Sequence, residues 1–187
     1  MLTHWCLKLV IFFCLSSQLV YAQWIDEAKF GTGASFLGTG DMLVAKVEIE
    51  GVRNWNRIVS SSLALGIGHG NSQWYEYEDY YSLSSRTSTV HLDGNIFISP
   101  FGNDRVYHLK IGTGASLMYV RDQHYIASIL SNSYEAPEHR ISVGGSVIVE
   151  QEVRVGKRNH IGLKAMIQPY LNGDIANTLL VKFGRIL

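Results

Sequence analysis

Hydrophobic residues recur at every second position through most of this chain, most cleanly from His160 to Leu187. Ile161, Leu163, Ala165, Ile167 and Leu171 share one parity, and His160, Gly162, Lys164, Gln168 and Tyr170 share the other. After Asn172-Gly173-Asp174 the alternation resumes, with Ile175, Leu179, Val181, Phe183 and Leu187 set against Thr178, Lys182 and Gly184. Side chains of a strand point alternately to its two faces, so this period predicts a β-hairpin with one apolar and one mixed face. The Asn-Gly-Asp turn supplies residues that tolerate positive φ.

The same rhythm predicts six earlier strands. They lie at about 29–37, 41–50, 57–68, 87–100, 106–120 and 139–153. In the second, Leu43, Ala45, Val47 and Ile49 alternate with Lys46, Glu48 and Glu50. In the fourth, Val90, Leu92, Ile96 and Ile98 alternate with His91, Asp93, Asn95 and Ser99. In the fifth, Tyr107, Leu109, Ile111, Leu117 and Tyr119 alternate with His108, Lys110, Gly112, Gly114 and Ser116. In the sixth, Ile141, Val143, Val147 and Val149 stand against Ser142, Gly144, Ser146, Glu150 and Glu152. Eight strands in hairpin order result, and the last is expected to pair with the first and close a barrel. Two connections, at about 69–86 and 121–138, are expected to be long loops on one side; the others are short turns.

The mixed faces decide which side points out. They carry Lys, Glu, Asp and His with repeated Gly and Ser, which suits a narrow lumen better than a solvated exterior. The lumen of an eight-stranded barrel is only just wide enough to be filled by side chains. The apolar faces are therefore expected outward, against lipid, with closure satisfying every backbone group in hydrocarbon. Tyr107 and Tyr119 fall near the two ends of one outward face, where interfacial aromatics belong.

Composition adds a compartment. Residues 1–22 carry one charge, Lys8, an apolar run from Leu9 to Leu15, and Val20-Tyr21-Ala22 before a cut. That layout predicts a cleavable signal peptide (1–22) ahead of one barrel domain (23–187). Both cysteines, Cys6 and Cys14, would leave with it. Lys and Arg total 16 and Asp and Glu total 16, so no basic footprint for nucleic acid is present.

The signal peptide, the eight alternating segments and the terminal LLVKFGRIL together resemble the small bacterial outer-membrane β-barrel proteins of the porin-like, eight-stranded kind. The resemblance covers the whole of 23–187. It implies an all-β, antiparallel, up-and-down transmembrane barrel in the bacterial outer membrane, in contact with its lipid. It also implies that the barrel-assembly machinery reads the last strand. Leu179, Val181 and Phe183 match that signal, while Leu187 stands where the family usually carries an aromatic and Arg185 interrupts the apolar parity.

The expected lumen network is Lys46, Glu48, Glu50, His91, Asp93, Lys110, Glu150, Lys164 and Lys182. Counting back from the turns places Lys29 near Glu50, Lys110 opposite Asn95, and Lys164 opposite Lys182. Two facing ammonium groups would need a carboxylate, from Glu150 or Glu48. Such a network serves as a plug or as a polar path. His91 and His108 could hold a metal but read better as hydrogen-bonded lumen histidines, so neither metal nor cofactor is expected. The exposed feature is QWYEYEDYY, where Trp74, Tyr75, Tyr77, Tyr80 and Tyr81 alternate with acids. Such amphipathic rings suit recognition of an extracellular partner or glycan, or equally an interfacial belt on strands that run on past the membrane. The leading expectation is a structural or surface-interaction protein without catalysis. Two competitors stand beside it. One is a lipid-modifying enzyme using His69 with Ser72, or His124 with Ser131 and Glu135; the other is a secreted lipocalin-like binding barrel.

Overall fold

The structure, a computed structural model, describes residues 24–38, 42–76, 81–103, 106–127, 132–134 and 136–187. The expected signal peptide lies outside these. The strands are β1 (Glu27–Leu37), β2 (Met42–Asn54), β3 (Val59–Glu76), β4 (Tyr81–Ile98), β5 (Tyr107–Ala127), β6 (Asn132–Tyr134), β7 (Glu138–Val155), β8 (Asn159–Pro169) and β9 (Ile175–Ile186). All except β6 form the wall, each antiparallel to its neighbours. Phe30 on β1 faces Ile49 on one side and Phe183 on the other, so the first and last strands pair and the barrel is closed. β6 is a short addition on the upper end of β5, with Tyr134 opposite Tyr125.

Closure carries a fixed stagger. The row of paired residues leaving Lys29 through Glu50, Ala64, Asp93 and Ser116 reaches β7 at Gly144. The row leaving it through Gly184 and His160 reaches β7 at Arg154, ten residues away. A stagger of this kind goes with strands inclined about 35–45° to the barrel axis.

The apolar parity of every wall strand faces out. Leu163 is 53% exposed while its neighbour Lys164 is completely buried. Leu43, Ile49, Leu65, Ile96, Ile111, Val143 and Phe183 lie on the same outer surface. Tyr107 and Tyr119 face out as well. An apolar girdle around the whole wall, with ammonium groups enclosed, matches a hydrocarbon surrounding and not water. The crossing is made by strands, since no helix among the described residues is long and apolar enough to span a membrane.

Two strand pairs run further than the alternation predicts. β3 continues to Glu76 and β4 begins at Tyr81, so most of the expected 69–86 loop is a β-ladder. β5 continues to Ala127 and β7 begins at Glu138, which shortens the second loop likewise. Above the girdle both faces of a strand are polar, so the segment SLSSRTS forms a ladder without an apolar alternation to announce it.

Inside, glycines make room for long side chains arriving from neighbouring strands. A Cβ on Gly66 would come within 2.8 Å of the Lys46 Cε, and one on Gly112 within 2.5 Å of the Phe97 Cδ1. Hence the lumen face mixes charge with glycine: each large group needs an empty place beside it at interior packing density.

Candidate functional site: the lumen and the upper wall

Each lumen residue is placed by parity, so an inward side chain on one strand meets partners from strands across the bore. Toward the end with the short turns, Lys29 donates to Glu150 at 2.8 Å and pairs closely with Glu152. Lys110 lies 2.8 Å from the other oxygen of Glu152 and 3.9 Å from Glu27. Further along, Lys182 pairs closely with Glu50 and lies 3.5 Å from Glu48. Lys164 donates to Glu48 at 2.7 Å, and Lys46 lies 3.8 Å from the same carboxylate. Five lysines and five glutamates thus form one buried ladder, each glutamate bridging two or more ammonium groups. Charges removed from water in this way persist only when paired.

Two register expectations are corrected. Asn95 faces Gly114, and Lys110 faces Glu150 on the other side of its strand. The β4–β5 connection is longer than a tight turn, and that moves Lys110 four places from Asn95. Lys182 faces Gly162, and Lys164 faces Leu180. The β8–β9 turn runs from Tyr170 to Asp174, closed by the Tyr170 N–H on the Asp174 carbonyl at 2.8 Å, with Gly173 at φ +90°. The turn is thus centred one residue earlier than expected, which offsets the two lysines by two places, and Lys164 meets Glu48 and Lys182 meets Glu50 most closely.

His91 and Asp93 belong to a second hydrogen-bonded layer beyond the ladder. The Asp93 Oδ1 accepts from the Ser116 hydroxyl at 2.5 Å and from the Gln168 amide at 2.8 Å. The Ser116 Oγ lies 3.0 Å from the Tyr170 hydroxyl, which lies 3.3 Å from the His91 Nδ1. The His91 Nε2 meets Thr89 at 3.1 Å. Histidine, serine and aspartate here share a network, but the serine is wired to the aspartate, and all three are buried away from any substrate.

Above this layer the lumen turns apolar. Leu37, Val44, Met118, Val120, Tyr170 and Ala176 form one buried cluster at the loop end. A second inward cluster, Phe97, Ile148 and Met166, sits lower down. Neither is part of the polar network that the alternation predicts. Their signal in the sequence is a run of apolar neighbours, such as Met118-Tyr119-Val120 or Val147-Ile148-Val149, where the second parity is apolar too.

Glu27, Glu152 and His160 approach within the spacing of a metal site, with the His160 Nε2 3.6 Å from both carboxylates. Lys29 and Lys110 bear on the same two carboxylates. A divalent ion would enter against two ammonium groups, so the chain's own cations already serve this cage.

On the outer surface, one paired row just above the girdle joins His69, Ser88, Arg121 and His139 across four strands. The His69 Nδ1 lies 3.0 Å from the Ser88 hydroxyl, while the side chain of Ser72 lies outside those described. The Tyr119 hydroxyl lies 2.6 Å from the His139 Nδ1, and the two rings stack at 6.0 Å. The next row carries Asn71, Arg86 and Gln123. His124 lies opposite Ser85, while Ser131 and Glu135 lie outside the described residues. Trp74 pairs with Leu83, Tyr75 with Ser82 and Glu76 with Tyr81 at the tip of the β3–β4 hairpin. Tyr77 and Tyr80 lie outside the described residues.

No protein-family model and no curated sequence matches the chain. Solved structures do. Ail, the attachment invasion locus protein of Yersinia pestis, is 9% identical over 87% of this chain and 99% of its own, with a TM-score of 0.53. Its complex with the heparin analogue sucrose octasulfate gives 11% over 86% and 98%, at 0.46. The N-terminal β-barrel domain of Pseudomonas aeruginosa OprF gives 9% identity over 87% and 99%, at 0.46. Neisserial surface protein A gives 13% over 86% and 95%, at 0.45. At such identities the likeness concerns the fold, and this chain has the fold of the small eight-stranded outer-membrane β-barrels.

Proposed function

We propose that the chain is an integral outer-membrane barrel that does not catalyse, with a closed lumen and a raised wall that binds an anionic glycan outside the cell. The observation that carries this reading is strand length. β3, β4, β5 and β7 have 18, 18, 21 and 18 residues, whereas β1, β2, β8 and β9 have 11, 13, 11 and 12. A tilted strand crosses a bilayer in about 9–11 residues, so half of the barrel stands well above the lipid. The short turns, on the side of residue 27, face the periplasm, and LLVKFGRIL is the segment offered to the assembly machinery.

The ladder, the hydrogen-bonded layer and the apolar cluster act as a plug in this reading, and stiffen the support for the raised wall. That wall carries Arg86, Arg121, His69 and His139 on its outer face, with no carboxylate in those rows. The sequence of the adjoining segment adds Trp74, Tyr75, Tyr77, Tyr80 and Tyr81, interleaved with Glu76, Glu78 and Asp79. Cations with amphipathic rings suit a sulfated or phosphorylated sugar chain. The test is binding of fluorescent heparin to cells displaying the protein. Replacing Arg86 and Arg121 together with Ala is expected to weaken binding at least tenfold while folding is kept. Unchanged binding would reject the reading.

One observation favours a second reading. His69 and Ser88 form a histidine–serine pair facing out at the lipid boundary, as an acyl hydrolase would need. No described carboxylate orients the imidazole. A change in the cell's lipid profile on adding the protein, abolished by His69→Ala, would support this reading against the first.

A further inference from the structure

The outer wall has a defect in its girdle near the short-turn end, apart from the run of small residues Gly94, Ala115 and Gly145 at mid-barrel. The outward row there reads Leu63, Gly51, Ala28, Arg185 across β3, β2, β1 and β9. The row toward mid-barrel reads Leu65, Ile49, Phe30, Phe183. Two small residues therefore lie below a ridge of four large ones. The resulting groove measures about 930 Å³. Its lower edge is the segment of Trp24 and Ile25, which crosses the outside of the wall. The Ile25 side chain lies over Gly51, where an added Cβ would come within 2.8 Å of its Cδ1. The segment is tied down by the Asp26 N–H on the Val52 carbonyl at 2.8 Å and by the Asn54 N–H on the Asp26 carboxylate at 2.7 Å.

The polar edge of the groove is cationic. Arg185 faces out beside Ala28 and forms no ion pair with a described residue. Arg53 lines the same edge, held by Asp26 at 3.4 Å. An apolar trough that opens onto arginines at the membrane boundary is complementary to an amphiphile with an anionic head.

We propose that this groove is a phospholipid site of the periplasmic leaflet. One acyl chain lies below the Phe30–Phe183 ridge and the phosphodiester sits on Arg185, with Arg53 beside it. Trp24 caps the glycerol level, where amphipathic rings settle. The proposal rests on the outer-membrane reading above. A guanidinium offers a phosphate two parallel donors, which an exposed lysine in its place would not reproduce.

The test is native mass spectrometry of the refolded barrel released from detergent, with palmitoyl-oleoyl phosphatidylglycerol as the probe and palmitoyl-oleoyl glycerol, which lacks the phosphate, as the control. One phosphatidylglycerol is expected to remain bound after the control lipid has been stripped. Arg185→Ala should weaken that adduct at least tenfold through its head, and Ala28→Leu through the filled trough. Equal retention of the two lipids, or unchanged adducts in both variants, would overturn the proposal. Heat-modifiable gel mobility is read on every sample. Its loss in the parent protein would count against the barrel in the membrane, whereas its retention without a selective adduct would count against this site alone.

Discussion

Glu48→Gln is expected to lower the stability of the refolded barrel by about 3–5 kcal/mol, read as the urea midpoint in lipid vesicles. Glu48 is completely enclosed and faces three ammonium groups, those of Lys164 at 2.7 Å, Lys182 at 3.5 Å and Lys46 at 3.8 Å. A buried pair contributes little over an apolar replacement, but removing one member strands the other in a low-dielectric site. Glu50, 3.8 Å from Lys164 and paired with Lys182, compensates in part, which places the cost toward the lower end of that range. The double variant Glu48→Gln with Lys164→Gln removes one charge of each sign and should recover at least half of the loss. A loss below about 1 kcal/mol would mean that water reaches the ladder and screens it.

Leu163→Arg is expected to cost about 2–4 kcal/mol in the same assay, because it sets a guanidinium against hydrocarbon at the middle of β8. Leu171→Arg, in the β8–β9 turn at the loop end, should cost about 0–1 kcal/mol. Both side chains are exposed, Leu171 at 89%, so burial in the protein does not separate them. Only depth in a bilayer does. A water-soluble barrel would accept both within about 0.5 kcal/mol.

Much of the fold was legible because one rule repeats around the wall. Alternation gave the face of each residue, and charge on one parity told lumen from exterior. What period two does not carry is the stagger between strands. Lys164 finds Glu48 across the bore, 116 positions away, and no spacing in the chain announces that pairing. A turn centred one residue earlier shifts the register by two places and moves an ammonium from one carboxylate to the next, as Lys164 and Lys182 show. The raised wall escaped for the opposite reason. Above the girdle the inward residues, such as Ser85 and Thr87, are buried but polar, so no apolar parity marks the strand and the ladder continues on Ser, Thr and Tyr. The inward apolar cluster at Val44, Met118 and Val120 broke the polar parity and stood hidden beside outward neighbours. Among the candidate residues, the types were readable and the partners were not. The alternation put His91 and Asp93 on the lumen face without naming their partners, which are Ser116, Gln168 and Tyr170.

The central claim is that lipid covers the apolar parity of the strands. Residues 23–187 contain no cysteine, so single cysteines can be placed along β8 and spin-labelled without interference. The measurement is collision of labels at Ile161, Leu163, Ala165 and Ile167 with oxygen, which concentrates in lipid, and with a water-soluble nickel chelate, in refolded vesicles. The account predicts high oxygen and negligible nickel contact at these four sites, greatest contrast lying at Leu163 and Ala165. Nickel contact at all four as strong as at the Asn172-Gly173 turn would put water against this face and contradict it.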